Sequence, residues 1–321
     1  MRRFRYLVLS LLLTLVWPVS ADDRPLTVGY SDWPGWVAWE IAIEKGWFEE
    51  AGVSVEFEWF DYVASMDAFA AGQLDAVCMT NGDTLVTGAT GRRAQMILVN
   101  DFSNGNDMIV ARAGISSVAD LKGKTVGVEI GFVGHLLLLR ALEQAGLQEA
   151  DVELLNVPTN ETPSVLASGD VDAIVAWQPN SSQALRLVPG STAIYSSADE
   201  AGLIYDVLGV APESLASRRQ DWSKVVDVWY RVVDFLQDPQ SRPEGLAIMA
   251  SRVGIPPAEY ASFFAGTKIL TKSEAAARFS EDDSLTSLWG SSAVADAFNV
   301  KYAVYKPAQD LNAYIDGGFY Q

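Results

Sequence analysis

The sequence predicts an α/β fold of two lobes, each a mostly parallel sheet covered by helices, with a hinge of two strands between them. First, the pattern FAAGQLDAV at 69–77 recurs as LASGDVDAI at 166–174, and in both copies a helix end stopped by glycine leads into a buried strand. Second, strand-like and helix-like apolar runs alternate through both halves. Third, two extended apolar segments, 107–112 and 204–210, enclose the second copy and suggest the outward and return links.

The first half alternates short apolar runs with segments of helical periodicity. Its predicted strands are 26–30, 53–59, 76–79 and 95–100, and its predicted helices lie near 36–45, 63–71 and 83–89. Short turns separate them, and a parallel pair of strands needs a crossover that a helix supplies. The first half is therefore predicted to form a mostly parallel sheet.

The second half repeats this plan, beginning with TVGV at 125–128, which echoes TVGY at 27–30. Its predicted strands are 125–129, 152–156, 173–177 and 193–195, and its predicted helices lie near 134–145, 162–167 and 180–187. From residue 212 the pattern becomes helical, with an apolar face along 222–237 that we expect to brace the first lobe. The predicted limits are 22–112 and 206–321 for lobe 1 and 113–205 for lobe 2.

Residues 1–21 have the features of a secretory signal peptide. Three arginines within the first five residues precede an apolar run, and Val19-Ser20-Ala21 provides the small residues of a cleavage site. The run is shorter than the roughly 20 residues of a membrane span, and Pro18 ends it. No cysteine directly follows the cleavage site. We therefore expect a periplasmic protein without a lipid anchor.

Composition excludes several classes of function. The chain has 41 acidic and 23 basic residues and a formal net charge of −18, which repels nucleic-acid phosphates. A single histidine, His135, and a single cysteine, Cys78, leave no Cys/His metal cluster and no disulfide. We expect no nucleic-acid partner, no metal and no cofactor, and we take the protein to be a monomer.

A ligand of such a fold binds beyond the carboxyl ends of the strands, where two facing lobes form a cleft. The residues that follow the predicted strands are mainly aromatic, amide and acidic, with no lysine or arginine. The candidate ligand-binding residues are Trp33, Trp36, Tyr62, Asn81, Asp83 and Asn106 in the first lobe and Glu129, Phe132, His135, Trp177 and Gln178 in the second.

The charged candidates allow two interpretations. Asp83 and Glu129 suit a ligand with an ammonium or amidinium group, to which Trp33, Trp36 and Trp177 could add cation–π attraction. Alternatively, Asp83 and Asp32 cap helices and Glu129 pairs with a neighbouring strand, as carboxylates at strand ends commonly do. An anionic ligand would instead need helix N-termini, hydroxyls or arginine.

Five segments in order carry a family resemblance: AIEKGWFEEAGV at 42–53, GQLDA at 72–76, SVADLKGKTVG at 117–127, LLRAL at 138–142 and GDVDA at 169–173, followed by Trp177 and Pro179. Over nearly all of the chain beyond residue 21, the sequence resembles the periplasmic substrate-binding proteins of ATP-driven (ABC) importers of the nitrate, sulfonate and taurine type. The resemblance implies the type II periplasmic-binding topology, closure about a hinge, and transient delivery of a small molecule to an inner-membrane permease.

The sequence departs from this family at two turns. Sulfonate and taurine binders typically place a serine or threonine at the start of the helix after the first strand of lobe 2, whereas this chain has IGFVGH at 130–135. Asp83 lies where such binders often offer small hydroxyl residues. We therefore expect a small nitrogen-containing ligand, such as an amine, a zwitterion like taurine or a related molecule, with a sulfonate or nitrate as the alternative.

Other classes of function have weaker sequence signals. No G-x-S-x-G elbow or ordered Ser, Asp and His set surrounds His135, and Cys78 lies in an apolar run, so we expect no catalytic activity. A related fold serves in thiamine-pyrimidine synthesis, but there the protein depends on a histidine and several cysteines. A ligand-sensing module for a membrane receptor needs the same two-lobed binder and stays an alternative.

Overall fold

The computed structural model describes residues 24–320. The predicted signal peptide, 1–21, lies outside the described residues. Within 24–320, no helix combines the length and the apolar character that a membrane crossing requires.

The described residues form two β-sheets with helices packed around them. The strands are β1 (Leu26–Tyr30), β2 (Val55–Trp59), β3 (Ala76–Thr80), β4 (Gln95–Ser103), β5 (Met108–Ala111), β6 (Thr125–Val128), β7 (Glu153–Asn156), β8 (Ala173–Ala176), β9 (Thr192–Ser196), β10 (Tyr205–Val210) and β11 (Thr267–Ile269). The α-helices are α1 (Pro34–Val37), α2 (Trp39–Glu44), α3 (Trp47–Glu50), α4 (Tyr62–Ala70), α5 (Asn81–Thr90), α6 (Val133–Gln144), α7 (Thr162–Ser168), α8 (Asn180–Leu187), α9 (Pro212–Gln237), α10 (Arg242–Arg252), α11 (Pro257–Ala265), α12 (Lys272–Arg278) and α13 (Leu288–Lys301).

The strand order is β11-β4-β10-β3-β1-β2 in the first sheet and β7-β6-β8-β5-β9 in the second. In each sheet the first strand of the half, β1 or β6, pairs in parallel with its two neighbours. Antiparallel strands complete both sheets. The two-lobed α/β class is confirmed, but both sheets are mixed.

The segments predicted as links, 107–112 and 204–210, supply internal strands of the sheets. β5 hydrogen-bonds to β8 and β9 in the second sheet, and β10 hydrogen-bonds to β3 and β4 in the first. These runs are apolar because their strands are buried. The chain passes from the first sheet to the second between Ser103 and Met108 and returns between Ser196 and Tyr205. The limits of the lobes along the chain stay a prediction.

The C-terminal helices connect to both lobes. As expected, α9 packs on the first lobe, where Trp229 lies against Trp39 with ring centroids 4.6 Å apart. α13 packs on α5 of the first lobe and also reaches the second, where its Phe298 and the following Tyr302 lie against the ring of His135 in α6. α13 therefore contacts both lobes.

Candidate functional site

A cleft of about 360 Å³ opens between the carboxyl ends of the strands in the two lobes. We call it the outer cleft. It is lined by Asp32 and residues 59–64 of the first lobe and by Glu129, Ile130, Phe132, Asn156, residues 158–161, Trp177 and Asn180 of the second. These lining residues include carboxylates, amides and aromatic rings but no lysine or arginine.

A smaller cavity of about 10 Å³ adjoins the outer cleft, and Tyr62 and Trp177 line both. We call it the aromatic box; it is lined by Trp33, Trp36, Tyr62, Thr80, Asp107, Val133, Trp177 and Asp206. Trp36 stacks on Tyr62 with centroids 5.4 Å apart, and Tyr62 meets the edge of Trp177 across the lobes at 5.2 Å. Four candidates from the sequence analysis are thus brought together as its aromatic walls.

The turn before α1 fixes the tryptophans of this box. Pro34 starts the helix, and Trp33 Nε1 donates a hydrogen bond to Asp101 Oδ1 at 3.1 Å. Gly35 passes so close to Asp101 that a Cβ there would lie 1.7 Å from Oδ2. Only glycine fits at this position.

Asp83 connects the two lobes beside the box. Its carboxylate accepts hydrogen bonds from the Tyr62 hydroxyl at 2.7 Å and from the backbone N–H of Val133 in the second lobe at 3.3 Å. Burial raises the pKa of Asp83 to about 6. The capping interpretation is wrong for this residue, because Thr80 is the N-cap of α5 and its hydroxyl accepts the bond from the Asp83 N–H.

Asp32 and Glu129 lie in the outer cleft. Asp32 accepts hydrogen bonds across the lobes from Trp177 Nε1 at 3.2 Å and Asn180 Nδ2 at 3.0 Å, and Trp33 takes the N-cap position of α1 instead. Glu129 accepts from the Thr159 hydroxyl at 3.0 Å. Burial raises the pKa of Asp32 and raises that of Glu129 to about 7.

Three carboxylates that the candidate set lacked lie at or next to the carboxyl edge of the first sheet: Asp101 on β4, Asp206 on β10 and Asp107 in the segment before β5. Asp101 and Asp206 lie opposite each other on β4 and β10. Burial raises the pKa of both, and their mutual repulsion adds to the rise for Asp206. Burial also raises the pKa of Asp107 to about 7. The sequence feature that could have identified these three residues is an acidic residue next to or within a buried apolar strand.

Two predicted amides serve the packing of the first lobe. Asn81 donates to the hydroxyls of Ser291 and Ser292 and accepts from the backbone N–H of Tyr205. Asn106 donates to the Phe263 carbonyl and the Thr267 hydroxyl. Their polar groups are thus bonded to α13, β10, α11 and β11 rather than turned to either cavity.

The remaining candidates divide between the cleft and the interior. Phe132 lines the outer cleft, whereas Gln178 is buried and lines neither cavity. His135 is buried with its Nε2 3.3 Å from Glu149 Oε1. Burial lowers the pKa of His135, although the nearby Glu149 carboxylate acts to raise it. Across residues 24–320, no group of three or more His, Cys, Asp or Glu side chains is arranged to hold a metal ion.

Comparisons with known proteins agree with this architecture. The "Putative binding protein" of Brucella abortus (strain 2308) is 34% identical over 202 residues, and the match spans 62% of this chain and 62% of that relative. The taurine-binding periplasmic protein of Escherichia coli (strain K12) is 27% identical over 135 residues, 41% of each chain. The crystal structure of the periplasmic aliphatic sulphonate binding protein SsuA from Escherichia coli superimposes with a TM-score of 0.74 at 22% identity, covering 92% of this chain and 99% of that one.

The resemblance drawn from the sequence motifs is confirmed by these relatives and by the shared fold. A family model described as the NMT1-like family matches residues 20–250, well over half of the chain. The chain therefore belongs to the NMT1-like family.

Proposed function

We propose that the protein is the periplasmic solute-binding component of an ABC importer. It captures a small nitrogen-containing molecule, an amine, a zwitterion such as taurine or a related compound, between its lobes and delivers it to an inner-membrane permease. The observation that carries the proposal is the interlobe site itself, whose polar lining consists of carboxylates, amides and hydroxyls with no basic side chain. The lining hydroxyls of Tyr62, Thr80 and Thr159 are already hydrogen-bonded to Asp83 or Glu129. Hydrogen bonds that Asp32 and Asp83 accept from the opposite lobe allow closure around a ligand.

A sulfonate or nitrate is the second candidate, because solved structures of the same fold include sulphonate-binding and nitrate-binding proteins. An anion would be expected at the N-terminus of α6, because helix N-termini favour anions and α6 begins in the second lobe at Val133. Asp83 already supplies a carboxylate to the Val133 N–H at that helix end. A second anion there would meet like charge, so the geometry favours the nitrogen-containing class.

A binding role fits the chain better than catalysis. His135 packs against Phe298 and Tyr302 rather than facing the outer cleft, and Cys78 is buried with a raised thiol pKa, because burial disfavours the thiolate. Neither residue is placed to act as base or nucleophile on a molecule held between the lobes. The relatives reported above are also named for binding, which supports a binding role over catalysis.

A thermal-shift screen of the refolded protein tests the proposal. Amines, zwitterions, alkyl sulfonates, nitrate and pyrimidines would be compared at several concentrations. A true ligand at about 100 times its Kd stabilises the fold by about 2.7 kcal/mol, so its melting shift should grow with the logarithm of concentration. A hit should also compact the protein in small-angle scattering. If no small molecule of any class shifts the melting temperature, the proposal of a solute-binding role fails.

A further inference from the structure

The aromatic box has three buried polar atoms without a hydrogen-bond partner among residues 24–320. They are Asp107 Oδ2, Asp206 Oδ2 and Trp36 Nε1. Both aspartates are more than nine-tenths buried. An unpartnered carboxylate oxygen in such a place is costly, because it has lost its water without gaining a donor. The box therefore offers two strong acceptors to any group that enters it.

The charge around the box is also uncompensated. Asp101 lies opposite Asp206 on the neighbouring strand, and Asp83 accepts a hydrogen bond from Tyr62 in the wall of the box. None of the ion pairs among the described side chains involves Asp83, Asp101, Asp107 or Asp206. Four acidic groups thus surround a small space that no lysine or arginine neutralises. A cation would remove this repulsion.

The aromatic walls of the box also favour a cation. Trp33, Trp36, Tyr62 and Trp177 surround it, and the faces of such rings attract cations, most strongly when water is excluded. The cavity of about 10 Å³ has room for about one water, so an organic cation is held there only when the lobes are further apart than in this structure. Trp177 and Val133 come from the second lobe, Asp107 from the segment that crosses between the lobes, and the other lining residues from the first. A group held in the box would therefore touch both lobes and favour a partly closed form over a fully open one.

We propose that the aromatic box is a subsite for a small organic monocation, an ammonium or amidinium-type group. Its N–H groups donate to Asp107 Oδ2 and Asp206 Oδ2, and its charge lies against the rings of Trp33, Trp36, Tyr62 and Trp177. This inference rests on the proposed solute-binding function and narrows it to ligands that carry a net positive charge at one end. It makes the box, rather than Glu129 in the outer cleft, the place where that charge is held.

Isothermal titration of the refolded protein with matched probes tests the inference. Guanidinium and urea have nearly the same planar shape but differ in charge, and methylammonium and methanesulfonate compare cation with anion. We expect guanidinium or methylammonium to bind at least about 100-fold more tightly than urea, and methanesulfonate and nitrate not to bind. If an anion or urea binds more tightly than both cations, the inference is overturned while a solute-binding function stands. If neither cation binds, the inference is also overturned, and the broader thermal-shift screen decides the function separately.

Two substitutions place the binding in the box. Asp206→Asn and Asp107→Asn each remove one charged acceptor, and each should weaken the affinity for the better cation by about 10- to 100-fold. Both variants should be at least as stable as the wild-type protein, because each loses an unpaired buried charge. Asp67→Asn is the matched control: it removes the same charge from an exposed position on α4 of the same lobe and should change affinity less than about two-fold.

The outcomes of these variants are distinct. Loss of affinity with an intact or raised melting temperature supports the subsite. Unchanged affinity in both box variants, or an equal loss in Asp67→Asn, overturns it. If one box variant fails to fold, the other still decides the question, since Asp107 and Asp206 lie on different segments.

Discussion

Asp75 and Asp206 are both buried carboxylates of the first sheet, and they lie at opposite ends of its strands. Asp75 precedes β3 and accepts two hydrogen bonds of 2.6 Å from Arg24 and one of 3.0 Å from the Thr27 N–H. Asp206 lies beside Thr80 at the carboxyl end of β3, faces Asp101 and keeps one oxygen free. Burial alone would raise both pKa values, but the bonds from Arg24 and Thr27 lower that of Asp75 overall, whereas Asp206 stays well above its ordinary value.

The difference separates a carboxylate that stabilises the fold from carboxylates that destabilise it. At the amino edge of the sheet a guanidinium and backbone donors compensate the buried charge. At the carboxyl edge, where a ligand binds in open α/β sheets, several acids are left without a counter-ion. Perturbed carboxyl groups clustered in a cleft are typical of functional sites, and this contrast within one sheet is the reason for assigning them to a ligand.

The largest expected effect is a pH dependence of stability. The pKa is raised to about 6 for Asp83 and to about 7 for Asp107 and Glu129. Because the folded protein keeps these protons at pH values where the unfolded chain has released them, folding takes up protons between about pH 4 and 7. Stability should therefore fall as pH rises through this window, by up to about 1.4 kcal/mol per pH unit for each group. Urea unfolding of the ligand-free protein at several pH values measures it.

The variants identify the groups responsible. Asp107→Asn should flatten the profile between about pH 5 and 7, while Asp75→Asn should leave its slope there unchanged, because the pKa of Asp75 lies below that window. A wild-type protein whose stability rises with pH from 5 to 7 would contradict the assignment of raised pKa values to the carboxyl edge.

The next effect is a change in the free energy of unfolding, which we expect to have opposite signs for Asp75 at the amino edge and Asp206 at the carboxyl edge of the first sheet. Asp75→Asn should lower the free energy of unfolding by about 2 kcal/mol at neutral pH, because it removes the charge-assisted pair with Arg24. The figure is kept small because water screens the half-exposed Arg24. Asp206→Asn should raise it by about 1 kcal/mol, because it removes a repulsive charge. Denaturant unfolding of both variants without ligand checks the signs. Destabilisation of both by similar amounts would mean that Asp206 is a structural group like Asp75.

Local pattern was enough to predict the elements that carry most of the site. Glycine stops, apolar runs and the internal repeat gave β1, β3 and β8 to within a residue, and the rule that ligands bind after strands selected Trp33, Trp36, Tyr62 and Trp177. The sequence pattern around a residue does not show whether a later segment of the chain will pack on it. Asn81 also follows a strand, but α13, from the last part of the chain, supplies its hydrogen-bond partners.

The missed carboxylates had a different cause. Asp206 and Asp107 belong to segments that the sequence analysis assigned to links, because extended apolar runs outside the repeat look like connections. Only the antiparallel insertion of β10 between β3 and β4 brings Asp206 opposite Asp101 and beside the box. Such pairing depends on contacts between distant segments, which periodicity does not contain.

A smaller effect is expected on closure of the lobes. Asp32→Ala removes the acceptor for Trp177 Nε1 and Asn180 Nδ2 and so favours the open form by about 1 kcal/mol. Small-angle scattering should show a larger radius of gyration for the variant than for the wild-type protein. Asp67→Ala, exposed on α4, is the control and should not change it. Equal radii for Asp32→Ala and the wild-type protein would remove Asp32 from the contacts that hold the lobes together.

The smallest effect concerns Asp172, which holds in the second half the repeat position that Asp75 holds in the first. Asp172 accepts a hydrogen bond from the Thr125 N–H at 3.1 Å, but its cation, Lys124, is 3.9 Å away and its side chain is 38% exposed. Water screens such a pair, so Asp172→Asn should cost about 0.5 kcal/mol in denaturant unfolding. A cost equal to that of Asp75→Asn would show that the backbone contact common to both repeats, rather than Arg24, compensates the charge. The contrast between the two edges of the first sheet would then rest on the backbone donor alone.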